Sequence, residues 1–224
     1  MMDSGKQAGA PRLALWTCVA GMAALVVAAG VAIAPRPVPR FHGTTYTEVA
    51  PAAEFALVDH DGRPVSLRSY RGAPVLLFFG YTHCPDVCPL TLDRLTRALR
   101  AAGGGARDVR ILLVTLDPAR DTPAALKAYA SRFGPAVTGL TGDSVSLATA
   151  WAGYGAYATT VAARTAHAHG AHRADESAPA PAATKTVHSS VVYGIDRSGN
   201  LQVVISDTAT PEQIADDVRT LARR

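Results

Sequence analysis

The stretch that decides the fold is residues 75–92, VLLFFGYTHCPDVCPLTL. It opens with a continuous apolar run that ends at Gly80, as expected of a short strand buried on both faces. Two of the chain's three cysteines, Cys84 and Cys88, follow this run directly. Apolar residues then recur at helical spacing from Leu90 onward. The stretch therefore predicts a strand, a cysteine-bearing turn and a helix, in that order.

The flanking sequence continues the alternation of strands and helices. Strands are predicted at Phe55–Val58, Pro64–Leu67, Val109–Thr115, Ser190–Asp196 and Leu201–Ile205, and helices at Thr122–Phe133, Ser144–Tyr154 and from Thr210 onward. Thr122, Ser144 and Thr210 are read as N-caps, the last with capping-box spacing. The order indicates an α/β fold whose central sheet is parallel in part, and the late hairpin makes that sheet mixed.

An uncharged run of 22 residues, 13–34, precedes this domain. As a helix it would span about 33 Å, enough for a hydrocarbon core of about 30 Å, so we predict a transmembrane anchor. A cleaved signal peptide is the alternative, because Ala32 and Ala34 resemble a cleavage site. The run exceeds the usual signal length, and Pro35 would follow the cut, so an uncleaved anchor is favoured. Cys18 then faces lipid or packs within the membrane.

The anchor divides the chain into four predicted parts. Residues 1–12 form a cytoplasmic segment, 13–34 the single membrane span, 35–50 a Pro-rich stalk and 51–224 the extracytoplasmic domain. Within this domain, 162–185 is rich in Ala, His and Pro and is expected to be a flexible loop. The predicted location, on the outer side of the cell membrane, is one in which paired cysteines can oxidise.

Charge excludes nucleic-acid binding as a function. The net charge is +4, but the first 40 residues hold +3 of it, and the remaining 184 residues are nearly balanced. A nucleic-acid-binding domain would carry a basic patch or stripe, which the domain lacks.

Cys84 and Cys88 suit both redox and metal chemistry. At a helix N-terminus the dipole and free amides stabilise thiolate, which is a nucleophile and also a soft metal ligand. Helical i, i+4 spacing separates Cβ atoms by about 5–6 Å, whereas a disulfide needs about 3.8 Å, so the spacing favours a metal while leaving a reversible disulfide open. Two thiolates suit Cu(I), and an added imidazole accommodates Cu(II). A structural zinc site would need a second cysteine pair, which this chain lacks. A structural disulfide between Cys84 and Cys88 would close too small a loop to add much to the stability of the fold.

Three motifs together resemble the Sco/SenC family of membrane-anchored copper chaperones. They are FFGYTHCPDVCPLTL, LVTLDPARDTP and VHSSVVYGIDRSGNL, and the resemblance covers roughly Phe55 to Leu221. It implies a thioredoxin-like fold and delivery of copper to the binuclear copper site of cytochrome c oxidase subunit II.

The resemblance also implies the site. Cys84 and Cys88 match the family's thiolate ligands and His188 its distal histidine, while Asp117 matches an acidic position near the site. One departure is Val187, where the family usually has Asp. This removes a carboxylate that could orient His188, which puts the affinity or exchange rate of Cu(II) in question.

The remaining histidines and polar residues near these motifs are predicted to have mainly structural or surface roles. His83 is expected to point away from the cysteines, as a packing residue or a modulator of thiol pKa. Asp117 is expected to end a strand beside the site, whereas Asp121 and Thr122 start the next helix. The histidines of the predicted loop form a solvated segment or, alternatively, a copper-collecting tract. These are His167, His169 and His172, and His42 and His60 are expected at the surface.

Two functions follow from the sequence. The first is a copper-binding chaperone without turnover, in which Cys84, Cys88 and His188 hold Cu(I) or Cu(II) and pass it to subunit II or another membrane copper protein. The second is an enzyme, a tethered thiol–disulfide oxidoreductase that reduces client cysteines with Cys84 and Cys88 as attacking and resolving sulfurs. A peroxidase is a weaker third. We expect a monomer held at the membrane by its N-terminal helix.

Overall fold

The structure is a computed structural model that describes residues 40–46, 48–156, 158–162, 184–188 and 190–224, with 158–162 and 184–188 described as backbone. The predicted anchor 13–34, Cys18 and the histidines at 167, 169 and 172 lie outside these ranges. Among the residues described, no helix has the length and apolar character needed to cross a membrane.

The described chain contains ten strands, four α-helices and three short 3₁₀ turns. The strands are β1 (Ala50–Pro51), β2 (Ala56–Asp59), β3 (Pro64–Ser66), β4 (Val75–Gly80), β5 (Arg110–Thr115), β6 (Val137–Thr141), β7 (Ala158–Ala162), β8 (Thr184–His188), β9 (Val192–Ile195) and β10 (Asn200–Ile205). The helices are α1 (Val87–Ala102), α2 (Pro123–Ala130), α3 (Ser144–Gly153) and α4 (Pro211–Ala222). The 3₁₀ turns are Leu67–Tyr70, Gly103–Ala106 and Ser131–Phe133.

Eight strands form one mixed sheet, in the order β1-β10-β9-β4-β5-β6-β2-β3. Strands β4, β5 and β6 run parallel, and the pairs on either side of them are antiparallel. The prediction of a mixed α/β sheet is therefore confirmed. β7 and β8 form a separate antiparallel ribbon. Their presence corrects the predicted loop 162–185, because its first residue and its last two belong to strands.

Alternate residues of the central strands face two hydrophobic layers. On one face Leu76 and Phe78 of β4 pack in a cluster with buried side chains of α1, α2 and α4. On the other face Leu77 and Phe79 pack with α3 and with side chains in and around the hairpin of β2 and β3. All six residues of β4 are buried, as its sequence predicts. Helices on both faces keep this strand, and the turn that follows it, fixed in place.

The folded unit begins at Arg40, earlier than the predicted boundary near residue 51. Phe41 packs against the core, and Thr44 exchanges backbone hydrogen bonds of 2.9 and 2.8 Å with Val204. The buried carboxylate of Asp217 in α4 accepts hydrogen bonds from the amides of His42 and Gly43 at 2.7 and 3.2 Å. Residues 40–46 are thus fastened to the last strand and the last helix, which corrects the assignment of this segment to the stalk.

Two of the three predicted N-caps are confirmed. Thr122 accepts a hydrogen bond from the amide of Ala125, and Thr210 forms a capping box with Gln213. The third differs: Asp143 caps α3 by accepting from the amides of Val145 and Ser146, and the predicted cap Ser144 is the first helical residue. A carboxylate one residue earlier satisfies two free amides at once, which explains the shift.

Candidate metal centre

Cys84 and Cys88 lie where β4 ends and α1 begins. Residues 81–86, the cysteine turn, connect the two elements, and the amide of Cys84 donates to the carbonyl of Tyr81 at 3.3 Å. Cys88 occupies the first turn of α1, and its amide donates to Cys84 Sγ at 3.4 Å. Both cysteines are buried and neither forms a disulfide. The fold therefore brings two sulfurs, neither of them in a disulfide, together against the end of a rigid strand.

Cys88 is the more deeply placed of the two sulfurs. Its side chain is fully buried, and a Cβ on Gly80 would lie only 2.9 Å from its Sγ, so glycine at the end of β4 makes room for this sulfur. Burial raises the pKa of the Cys88 thiol well above its ordinary value, outweighing a backbone hydrogen bond at Tyr81 that lowers it. The expectation that the helix N-terminus would favour thiolate is therefore wrong for Cys88, because desolvation dominates the dipole.

Asp121 anchors the cysteine turn through hydrogen bonds to Thr82. Its carboxylate is fully buried and accepts from the Thr82 amide at 3.2 Å and from the Thr82 hydroxyl at 2.6 Å. It also accepts from the hydroxyl of Thr115, the last residue of β5, at 2.6 Å. Asp121 thus joins the turn, β5 and the approach to α2. This corrects its assignment to a helix start, since Thr122 alone caps that helix and the carboxylate points to the cysteine turn.

His83 is tied to the same network. Its ring is about half exposed, and its Nδ1 lies 3.0 Å from Thr82 Oγ1 and 3.8 Å from Asp121 Oδ1. Because the hydroxyl hydrogen of Thr82 goes to Asp121, Nδ1 must donate to Thr82 Oγ1. This nitrogen therefore hydrogen-bonds within the cysteine turn, and the roles predicted for His83, in packing or in modulating a thiol pKa, stay predictions.

Asp117 follows β5 at the same end of the parallel strands as the cysteine turn. The preceding residue, Leu116, donates its amide to the carbonyl of Gly80, so the two strand ends lie side by side. The half-buried carboxylate of Asp117 pairs with the exposed guanidinium of Arg120. Among the described contacts, it is Asp121 and not Asp117 that touches the cysteine turn.

His188 is described through its backbone, as the last residue of β8, paired with Ala158. Its distance from the sulfurs is not defined by the described atoms. The register does define where the following chain goes: Val192, the first residue of β9, pairs antiparallel with Phe78 near the end of β4. The segment that leads from β8 into β9 therefore joins the sheet at the end of the strands where the cysteine turn lies.

The described side chains supply only part of a metal site. Among them, no group of three or more His, Cys, Asp or Glu residues is arranged to hold an ion, and the His188 side chain is not included in that set. Two neighbouring thiols at a rigid strand end can bind a soft ion, or can exchange with a disulfide. The burial of Cys88 weakens the second use, because thiolate is the attacking species.

Comparison with known proteins places the chain. The SCO1/SenC family profile matches residues 44–223. SenC of Rhodobacter capsulatus is 30% identical over 208 residues, covering 89% of this chain and 87% of SenC. The mitochondrial SCO2 homolog of Bos taurus is 34% identical over 168 residues, which span 74% of this chain and 58% of the bovine protein.

A solved structure shows the same fold. The copper-bound structure of Bradyrhizobium japonicum ScoI is 35% identical, with a TM-score of 0.62, over 77% of this chain and 99% of that one. The central sheet with helices on both faces is thus the thioredoxin-like arrangement of the Sco proteins. The family profile, the near full-length match to SenC and the shared fold together establish that this chain belongs to the SCO1/SenC family.

Proposed function

We propose that this protein is a copper chaperone that binds one copper ion through Cys84, Cys88 and His188. The observation that carries the proposal is the pair of buried sulfurs at the end of β4, neither of them in a disulfide, with the Cys88 amide donating to Cys84 Sγ. Copper displaces the thiol protons when it binds, so a raised thiol pKa does not prevent ligation. The copper-bound ScoI relative supports copper as the ion.

The proposed client is the binuclear copper site of cytochrome c oxidase subunit II. BsSco, a protein with the same fold, is a member of the Sco family of cytochrome c oxidase assembly proteins. Two large apolar side chains beside the cysteines, Val87 and Leu90, are 36% and 57% exposed, which supports docking of a protein partner there. Copper would pass by ligand exchange as the client's own soft ligands replace these sulfurs.

Residues 13–34 complete the proposal as a single-pass anchor that places the domain outside the cytoplasm. Tethering raises the effective concentration of the domain near a membrane-bound client. Val187, beside the proposed ligand His188, supplies no carboxylate to orient the imidazole, so Cu(II) is expected to exchange more readily than with Asp at that position.

Copper titration of the reduced protein tests the proposal. We expect about one equivalent to bind, with a Cu(II)–thiolate absorption band. His188→Ala should change that spectrum and weaken Cu(II) binding at least about tenfold, in line with the loss of affinity seen when metal sites are perturbed. His42→Ala is the matched control, because His42 lies on the surface beside Asp216.

Two further variants separate the alternatives. Deleting residues 166–183 should leave the first equivalent intact if the histidines of that segment only form a linker. An absence of copper binding combined with rapid reduction of a client disulfide would overturn the chaperone proposal in favour of the oxidoreductase.

A further inference from the structure

Tyr129 lies in the last turn of α2, with its side chain buried in the core. Its ring packs against Phe133 at 5.3 Å between centroids, and the guanidinium of Arg132 lies 5.4 Å from the ring centre. Its hydroxyl oxygen is buried and has no hydrogen-bond partner among the described residues. A buried polar atom without a partner is costly and rare, so this hydroxyl calls for a physical reason.

Other buried tyrosines meet this requirement. The hydroxyl of Tyr154 donates to the carbonyl of Ala53 at 2.8 Å, and the hydroxyl of Tyr193 donates to the carbonyl of Tyr154. One other buried side-chain oxygen in the described part of the chain lacks a partner, Thr91 Oγ1. Rotation of the Thr91 side chain can satisfy that oxygen on a carbonyl of its own helix. A phenol on a rigid ring has no such local alternative.

The surroundings of Tyr129 identify its partner. Tyr129, Cys84 and Cys88 belong to one cluster of buried side chains. Burial is the main cause that raises the pKa of Tyr129, and negative charge on Cys88 and then on Cys84 raises it further. The phenol and both sulfurs are therefore buried in the same cluster, on the face of the sheet that α1, α2 and α4 cover.

The protonation state of the cysteines decides whether that O–H has a use. A protonated thiol is a weak acceptor, whereas a thiolate is charged and accepts strongly. Metal binding converts the two thiols to thiolates, and Cys88 then holds its charge where no water reaches it. A hydrogen-bond donor beside a metal-bound thiolate stabilises the negative charge that the sulfur keeps.

We propose that Tyr129 is a positioning residue of the metal centre, whose hydroxyl donates a hydrogen bond to the Cys84–Cys88 thiolates when they carry a metal. The inference deepens the proposed copper-binding function and rests on it for the physiological ion. In the metal-bound state the sulfurs have lost their protons, and only then does the Tyr129 hydroxyl have a strong acceptor. Tyr129 thereby stabilises the loaded form selectively and does not contact the metal.

The test compares Tyr129→Phe with Tyr154→Phe in the full-length protein, kept in detergent and reduced. Each variant loses one buried hydroxyl, but only Tyr154 has a backbone acceptor in the metal-free fold. The readouts are the unfolding midpoint without metal, the affinity for Cu(II), the position of the sulfur-to-copper charge-transfer band, and the affinity for Cd(II), a soft ion that takes thiolate ligands whatever the physiological metal.

For Tyr129→Phe we expect an unchanged or higher unfolding midpoint without metal, because an unsatisfied hydroxyl has been removed. Cu(II) and Cd(II) should each bind about tenfold more weakly, since a hydrogen bond to a charged sulfur is lost. The charge-transfer band should move to lower energy, because the thiolates lose a donor that stabilises their electrons. Tyr154→Phe should show the reverse pattern, with a lower midpoint and unchanged metal affinities.

The outcomes distinguish this inference from the proposed function. Unchanged Cd(II) affinity in Tyr129→Phe overturns the inference, as does a fall in the metal-free midpoint without any change in metal binding. If the wild-type protein binds Cd(II) but not copper, the copper proposal fails, while a tenfold weaker Cd(II) affinity in Tyr129→Phe still supports the role of the phenol.

Discussion

A buried aspartate holds a turn beside each end of β4, and the two carboxylates differ in how far along the sequence their hydrogen-bond partners lie. Where β4 begins, Asp196 follows the neighbouring strand β9 and accepts from the amides of Ser198 and Asn200, both at 2.9 Å. Its second oxygen accepts from the side chain of Gln202 at 2.6 Å. All these partners lie within six residues, so Asp196 closes its own hairpin turn.

Where β4 ends, Asp121 accepts from Thr82, which is 39 residues away in sequence, and from Thr115. It is fully buried, whereas the turn around Asp196 includes the exposed Ser198. The difference teaches that similar chemistry serves two purposes in one sheet. Asp196 shapes a connection that water can also reach, and Asp121 fixes the turn that carries the cysteines.

The largest effect is expected from Asp121→Ala. The change leaves the amide of Thr82 and two hydroxyls without the fully buried carboxylate that accepts from them, so we expect a loss of about 3 kcal/mol in the free energy of unfolding. Because the cysteine turn loses its support, copper affinity should also fall. Denaturant unfolding and copper titration measure the two effects.

Asp117→Ala is the matched control for Asp121→Ala, since Asp117 is four residues away and pairs with Arg120 at the surface. It should change the unfolding free energy by less than about 1 kcal/mol. Equal effects of the two substitutions on copper affinity would show that a general loss of negative charge matters, and not support of the turn.

An intermediate effect is expected from Gly80→Ala at the end of β4. The added Cβ would lie 2.9 Å from Cys88 Sγ, so the sulfur must move, and overpacking of this kind costs about 2 kcal/mol. Gly194→Ala in β9 is the counterpart, with its Cβ 2.5 Å from Val203 Cγ1. Both variants should lose stability, but only Gly80→Ala should also alter the metal-thiolate spectrum. A spectral change in Gly194→Ala would mean that the site senses strain anywhere in the sheet.

A smaller effect is expected from Asp196→Ala. The freed amides of Ser198 and Asn200 lie in a turn that water can enter, so the cost should be about 1 kcal/mol. Thermal or chemical unfolding gives this value, and copper affinity should equal that of the wild type. A loss as large as that of Asp121→Ala would remove the distinction between the two ends of β4.

The smallest effect is expected from Asp143→Ala, an exposed carboxylate that serves as the reference for the two buried ones. The Ser146 amide, followed by the Ser146 hydroxyl, lowers the pKa of Asp143 below its ordinary 3.8. Its stabilising charge is therefore present above the ordinary carboxyl pKa and is lost as pH falls through the lowered value. The variant should melt slightly below the wild type at pH 7, and the gap should narrow on acidification below pH 4. A gap independent of pH would assign the effect to helix propensity.

Local patterns made much of the fold predictable from the sequence. β4 is a continuous apolar run, and Thr210 starts a capping box, so each can be recognised within a few residues. β6 escaped prediction because Val137–Thr141 is short and contains Gly139, a residue disfavoured in strands. The structure gives the reason for this glycine: a Cβ there would lie 2.7 Å from Leu126 Cβ of α2.

The candidate site was predictable to the extent that its residues are consecutive. Cys84 and Cys88 lie four residues apart, in the cysteine turn and the first turn of α1, and their spacing indicates a ligand pair. The roles of Asp121 and Tyr129 depend on contacts between distant segments, and neither residue type marks such a role in a linear sequence. The raised pKa of the Cys88 thiol was missed for the same reason, since it results from burial beneath side chains of several elements.

The pairing of Thr44 with Val204 has a consequence for how the protein would search for a partner. Val204 precedes Ile205, which pairs with Val192, and Val192 pairs with Phe78 near the end of β4. Thr44 therefore joins the sheet at the end of the strands where the cysteine turn lies, with β10 and β9 between Thr44 and that turn. A tether on the N-terminal segment would thus hold the domain at the end that carries the sulfurs. The proposed anchor would thereby limit the distance over which the sulfurs search for a recipient.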